Sequence, residues 1–239
     1  PSSQPFNYRN SVVYHLTRIG NKIVLGFNKR KSHSITDITD CLIVPAVFQQ
    51  LINELRTLFN SQPLLKKLPA NIKIRKLMGE EKTIFAGFYF NKDISRKDIE
   101  AMAALLPKLL DDISVEYTFL NDEKKITYRS GLERENFSYK NLSMQVSLDS
   151  FFQTNSLQLH NMLDYLETLV AKKNGKEAKL LDLYCGAGIF SLWLKDKFVQ
   201  ITATDSAKNS IKDARHTLTE MKVDNIKFGI AEKESETQK

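Results

Sequence analysis

Cysteine is nearly missing from this chain: Cys41 and Cys185 are the only two in 239 residues. Two thiols that far apart are too few for a disulfide framework and do not suggest a local metal site, so no metal is expected and a reducing compartment fits. Long hydrophobic runs are missing too. None approaches the roughly 18–20 residues needed to span a bilayer, and the polar start PSSQPFNYRN has no signal-peptide core. The expected location is therefore cytoplasmic, with no membrane partner. Internal repeats and low-complexity tracts are also lacking, although the final AEKESETQK is polar enough to fray. What is present, 42% apolar and 26% charged residues, suits one large or two small folded domains.

Charge is unevenly spread. Residues 1–150 carry 22 Lys and Arg against 16 Asp and Glu, and residues 151–239 carry 13 against 12. If the net +7 serves a polyanionic partner, the front segment is its footprint, because Lys and Arg clusters neutralise phosphates; the other reading is a solvated surface.

The same division appears in the patterning. SVVYHL and KIVLGF flank Gly20 and Asn21 and read as a hairpin. From Pro45, the residues Val47, Leu51, Ile52, Leu55, Leu58 and Phe59 recur at three-to-four spacing, which predicts a helix ending before Pro63. NIKIRKL and TIFAGFYF read as strands around a turn at Gly79 to Lys82. Ser95 with Asp98 caps a helix whose face is Ile99, Met102, Leu106 and Leu109. ISVEYTFL, KKITYRS and NLSMQVSL add strands, so residues 1–150 form an α+β domain with a mostly antiparallel sheet. Beyond Ser150 a helix lined by Met162 or Leu163, Leu166 and Leu169 or Val170 leads into KLLDLY, VQITAT and NIKFGI, strands alternating with helices. Residues 151–239 are thus expected to be α/β and Rossmann-like, with a parallel sheet.

KLLDLY runs into CGAG and then into helical IFSLWLKDK, the strand, tight turn and helix that place a ligand at strand C-termini. Gly186 and Gly188 allow unusual φ and close ligand approach. A dinucleotide site would want a third glycine where Ser191 stands, which disfavours pyrophosphate. Asp205 ends the next strand, 17 positions after Gly188, where a carboxylate can accept bonds from both ribose hydroxyls of an adenosine. Asp182 is open to two readings: it orients the loop or the reactive end of a cofactor, or it simply caps the loop.

FFQTN at 151–155, LLDLYCGAGIFSL and TDSAKNSIKDAR, in that order, resemble the RNA uracil-5-methyltransferases that make 5-methyluridine in tRNA and rRNA. YRN at 8–10, LGFNKRKSHSITDITDC at 25–41 and MQVSLDS resemble that family's central RNA-binding domain, so the likeness covers nearly the whole chain. It implies an α+β RNA-recognition domain followed by an incomplete Rossmann-like methyltransferase domain, with S-adenosylmethionine as cofactor and tRNA or rRNA as partner. Gln153, Tyr184 and Asp205 match cofactor-contacting positions, joining Asp182, Gly186 and Gly188. Asp205 stands where the family usually has Glu, and Ile189 where many members are polar. Glu232 lies near the family's adenine-holding Gly-Asp pair. Cys41 falls where iron–sulfur members place a last cluster ligand, but a cluster needs several thiolates and the front segment has no other. Arg9, Lys29, Arg30, Lys31, His33 and the run Lys66, Lys67, Lys73, Arg75, Lys76 are the RNA candidates, with Lys73 and Arg75 projecting from one sheet face.

In the family a cysteine thiolate attacks C6 of an unstacked uracil, the activated C5 takes the methyl group, and a general base removes the C5 proton. That cysteine sits in a DPPR-type motif, and the base is a later glutamate. Neither motif occurs here. Only 51 residues follow Gly188, which implies three strands of a sheet that ordinarily has about seven, so the chain reads as a fragment with an exposed strand edge and no catalytic residue of its own. Cys185 belongs to the cofactor turn and is not read as the nucleophile. Alternative readings are a catalytically inert RNA-binding protein that retains the cofactor fold, and a methyltransferase with another substrate.

Overall fold

The β-branched and aromatic runs in SVVYHLTRI and KIVLGFN become β1 (Ser11–Ile19) and β2 (Lys22–Asn28). Ile19 faces Lys22 across a two-residue turn at which Gly20 takes φ +58, the left-handed geometry such hairpins need. The computed structural model describes residues 4–62, 65, 67–77, 82–123, 125–171 and 177–231. The Gly79–Glu81 part of the expected turn, Lys66, Glu232 and most of the C-terminal AEKESETQK lie outside the described residues.

The chain separates into two compact units, Pro1–Lys76 with Glu81–Glu133, and Leu77–Glu80 with Arg134–Lys239. In the first, β3 (Ile35–Asp37), α1 (Ala46–Ser61), β4 (Asn71–Arg75), β5 (Thr83–Tyr89), α2 (Arg96–Leu105), β6 (Leu109–Leu110), β7 (Ile113–Leu120) and β8 (Ile126–Arg129) follow the hairpin. The sheet order is β3-β2-β1-β4-β5-β7-β6, with β8 on β7. Every pairing is antiparallel except β5 with β7, which α2 bridges as a crossover helix. Pro45 precedes α1, which buries Phe48, Leu51, Ile52, Leu55 and Phe59. These pack with Tyr14, Leu25, Ile72, Ile74, Phe88 and Phe119, and the rings of Phe88 and Phe119 stack at 5.2 Å. Each such side chain contributes about 1.5–3 kcal/mol of burial. Arg56 on α1 ties the sheet edge by donating to Asp37 and to the carbonyls of Leu25 (3.1 Å) and Ile38 (2.6 Å). The Ser95 hydroxyl accepts the Asp98 N–H at 3.2 Å and so caps α2.

The second unit holds β9 (Arg134–Tyr139) and β10 (Leu142–Ser147), a two-stranded antiparallel sheet, then α3 (Ser156–Ala171), β11 (Lys179–Leu183), α4 (Ile189–Trp193), β12 (Gln200–Asp205), α5 (Lys208–Glu220) and β13 (Ile226–Ile230). β11, β12 and β13 pair in parallel in that order. Ile201, Ala203, Ile226 and Phe228 are buried with Ile211 and Ala214 of α5. On β11, whose one partner among the described residues is β12, Leu181 and Leu183 are 61% and 58% exposed.

Three expectations need adjustment. Helix α2 stops at Leu105 because Pro107 cannot continue it, so Leu109 falls in β6 and is exposed. The division between units falls at Glu133/Arg134 rather than near 150, because Leu142, Met144 and Val146 of β10 bury into the second core. The helix expected over IFSLWLKDK is only α4, followed by a 3-10 turn at Lys195–Lys197. In α3 the two open alternatives resolve to Leu163, which is buried, and Val170, which packs against the core, while Met162 and Leu169 are exposed. No helix among the described residues is long and apolar enough to cross a membrane.

Gly26 on β2 is required sterically: a β-carbon there would run into the Thr36 carbonyl of β3. Gly26→Ala is expected to lower stability by about 1–3 kcal/mol, the usual cost of overpacking, read as a shift of the urea midpoint at unchanged slope.

Candidate cofactor site

All six candidate cofactor residues belong to the second unit. Parallel pairing of Leu183 with Thr204 brings the end of β11 level with the end of β12, and the chain then turns. Tyr184, Gly186 and Gly188 take φ of +61, +56 and +81. At Gly188 the need is double, because a β-carbon would lie 2.6 Å from the Phe228 ring and 3.3 Å from the Ala214 β-carbon. At Gly186 the conformation alone selects glycine, since the nearest atom, on the Phe151 ring, would be an ordinary 3.8 Å away. Tyr184 holds its left-handed backbone without that freedom and exposes 89% of its surface.

Hydrogen bonds lock the turn. Cys185 N–H donates to the Thr204 carbonyl (3.0 Å), Gly188 N–H to the Cys185 carbonyl (2.9 Å), and Leu192 N–H to the Gly188 carbonyl (2.9 Å), starting α4. Asp205 accepts the Gly186 N–H on Oδ2 at 2.9 Å and the Ala207 N–H on Oδ1 at 2.7 Å. A carboxylate has about four acceptor positions, so one on each oxygen remains for a pair of hydroxyls. The half-buried Asp205 is thus aimed by backbone on one side and able to accept on the other.

Asp182 accepts the Ser191 hydroxyl at 2.6 Å, and Ser191 is fully buried. Burial, helped by the nearby Asp205 charge, raises the Asp182 pKa above the usual carboxylate value, and the Ser191 bond opposes the shift. Sequence reasoning used Ser191 only to argue against a dinucleotide; its role as the clamp on Asp182 was missed, although the spacing of strand acid and helix serine was its signal. Gln153 is half-buried, two residues beyond Phe151, which lines the turn.

The first unit carries the RNA candidates. Lys29, Arg30, Lys31 and His33 are all exposed on the β2–β3 loop, closed by Lys29 N–H to Ser34 carbonyl (2.8 Å) and Ser32 N–H to Lys29 carbonyl (3.0 Å). Arg9 and Lys73 are half-buried. Arg75 is 1% exposed and its cross-strand partner Phe85 is 6% exposed, so Arg75 does not project to solvent beside Lys73 as expected. Phe88 and Phe90 are core residues. Cys41 is a half-buried free thiol, and no group of three or more metal-binding side chains occurs among the described residues.

A family model described as tRNA (uracil-5-)-methyltransferase matches residues 2–238. An RNA methyltransferase of Fusobacterium nucleatum is 25% identical over 98% of this chain and 53% of its own length. A 23S rRNA (uracil(1939)-C(5))-methyltransferase of Shewanella sediminis is 24% identical over 94% of this chain and 49% of its own length. The chain therefore spans about half the length of these curated relatives. Among solved structures, the tRNA (uracil-54, C5)-methyltransferase of Pyrococcus abyssi in complex with S-adenosyl-L-homocysteine shares the fold, with TM-score 0.71 at 20% identity over 97% of this chain and 57% of that one.

Cys185 is 5% exposed, and burial together with the Asp182 and Asp205 charges pushes its thiol up to about 12. At pH 8 Cys185 is expected to react with a soluble disulfide reagent roughly 10³-fold more slowly than in the unfolded chain, since the thiolate is the nucleophile. An unfolded thiol ionises near 9.0 while the native one stays protonated, so this residue lowers stability as pH rises from about 9 towards 12. Thiol titration with and without denaturant measures both effects.

Proposed function

The chain belongs to the tRNA (uracil-5-)-methyltransferase family, and from that membership we propose that it carries the S-adenosylmethionine site and an RNA-binding surface of an RNA uracil-C5 methyltransferase. The observation that carries this reading is Asp205, held by the Gly186 and Ala207 amides with acceptor positions free for a ribose. Gly186 and Gly188 let the ligand approach the backbone. Asp182, clamped by Ser191, orients the turn beneath the methionine end, and Tyr184 and Gln153 flank the cofactor. The bound cofactor supplies an electrophilic methyl group; these residues bind and orient it.

We assign the RNA surface to the first unit, around Lys29, Arg30, Lys31 and His33, with Arg9 and Lys73. Residues 1–76 hold twelve Lys and Arg against three Asp and Glu, a sharper bias than the front segment as a whole. The substrate class is a uridine in tRNA or rRNA. Cys185, buried and protonated in the cofactor turn, is not the nucleophile in this reading.

Calorimetric titration with S-adenosylhomocysteine is expected to show one site that Asp205→Asn weakens about tenfold or more, the loss of a charge-assisted hydrogen bond. A folded chain that binds neither S-adenosylhomocysteine nor S-adenosylmethionine contradicts the assignment. Replacing Lys29, Arg30 and Lys31 together by Glu is expected to weaken RNA binding and flatten its dependence on salt; unchanged binding removes this loop from the footprint.

A further inference from the structure

Asp213 lies in the middle of α5 and is 1% exposed, a charged residue on the helix face that also buries Ser210, Ile211, Ala214 and Thr217. Such a carboxylate stays buried only when its acceptor positions are filled. Here they are. Oδ2 accepts the Ser147 N–H (2.8 Å), the Ser147 hydroxyl (2.6 Å) and the Ser150 hydroxyl (2.5 Å), and Oδ1 accepts Arg134 Nε–H (3.0 Å). Arg134 and Ser147 are cross-strand partners in the β9–β10 hairpin, and Ser150 N–H closes a turn onto the Ser147 carbonyl at 3.0 Å. One carboxylate therefore gathers the last pair of the hairpin and the turn that leaves it.

The residue after Ser150 is Phe151, whose ring and carbonyl lie against Gly186, and Gln153 follows two positions on. The segment thus begins directly after a residue that Asp213 holds. We propose that Asp213 is a positioning residue of the cofactor site, acting through Ser147 and Ser150 to hold Phe151–Gln153 against the turn; this rests on the cofactor reading above. Only a carboxylate serves. An asparagine of the same shape must turn its amide donors either towards the two serines and the Ser147 N–H or towards Arg134, so one set of donors loses its acceptor.

A neighbouring contact supplies the control. Thr217, one turn along the same buried face, accepts the Gln145 N–H of the same hairpin at 3.3 Å, two residues before Ser147. Asp213→Asn, Ser150→Ala and Thr217→Val are compared in the 239-residue chain by amide hydrogen exchange and by titration with S-adenosylhomocysteine. Asp213→Asn and Ser150→Ala are expected to speed exchange locally at residues 148–153, with or without ligand, and to weaken binding about tenfold or more, whereas Thr217→Val changes affinity by less than about twofold even where it lowers the melting temperature. Should Asp213→Asn fail to fold, Ser150→Ala carries the same test. Binding by the unsubstituted chain that the two variants leave unchanged, or that Thr217→Val weakens equally, overturns the positioning role alone. Absence of binding by the unsubstituted chain overturns the cofactor reading, and this role with it.

Discussion

The second unit turns on one hydrogen bond, from the Gly186 N–H to the Asp205 carboxylate. It forms because β11 and β12 pair in parallel with Leu183 beside Thr204, so the turn leaving β11 passes the last residue of β12. For the amide to face the side chain, Tyr184, Gly186 and Gly188 adopt left-handed backbone within five residues. The same bend brings Gly188 onto Phe228 and Ala214, which leaves no space for a side chain. Register, glycine positions and the direction of Asp205 are therefore one constraint. Around it, Ser191 fixes Asp182 from α4 and Asp213 fixes the approach of Phe151 from α5.

Burial separates Cys185 from the chemistry it invites. A thiol beside a glycine turn suggests a nucleophile, yet Cys185 belongs to the second core, and its burial, with the charges of Asp182 and Asp205, favours the protonated form. The exposed cationic loop lies in the first unit.

Much of this was legible in the sequence where a pattern had one physical cause. The β1–β2 hairpin followed from β-branched and aromatic runs around Gly20–Asn21, α1 from its apolar spacing after Pro45, and the glycine turn with Asp205 from strand, turn and spaced acid. Where polar residues are buried, the patterns misled. RENFSY does not look like a half-buried strand, because Glu135 occupies an inward position beside Phe137 and there accepts the Leu77 N–H at 3.1 Å. Asp213 and Ser191 were overlooked for the same reason, since a carboxylate or hydroxyl on a helix reads as solvated surface until its partners are known. Arg75 shows the converse: alternation assigns a side chain to a face but says nothing of what shuts that face from solvent.

The account stands on the turn and Asp205 holding the methyl donor together. Backbone amide resonances during titration with S-adenosylhomocysteine test this directly. The Gly186, Gly188 and Ala207 amides are expected to show the largest shifts, saturating together, because the ligand's ribose shares the carboxylate that two of them already bind. Saturable shifts elsewhere in the second unit that leave these three amides unmoved would contradict it.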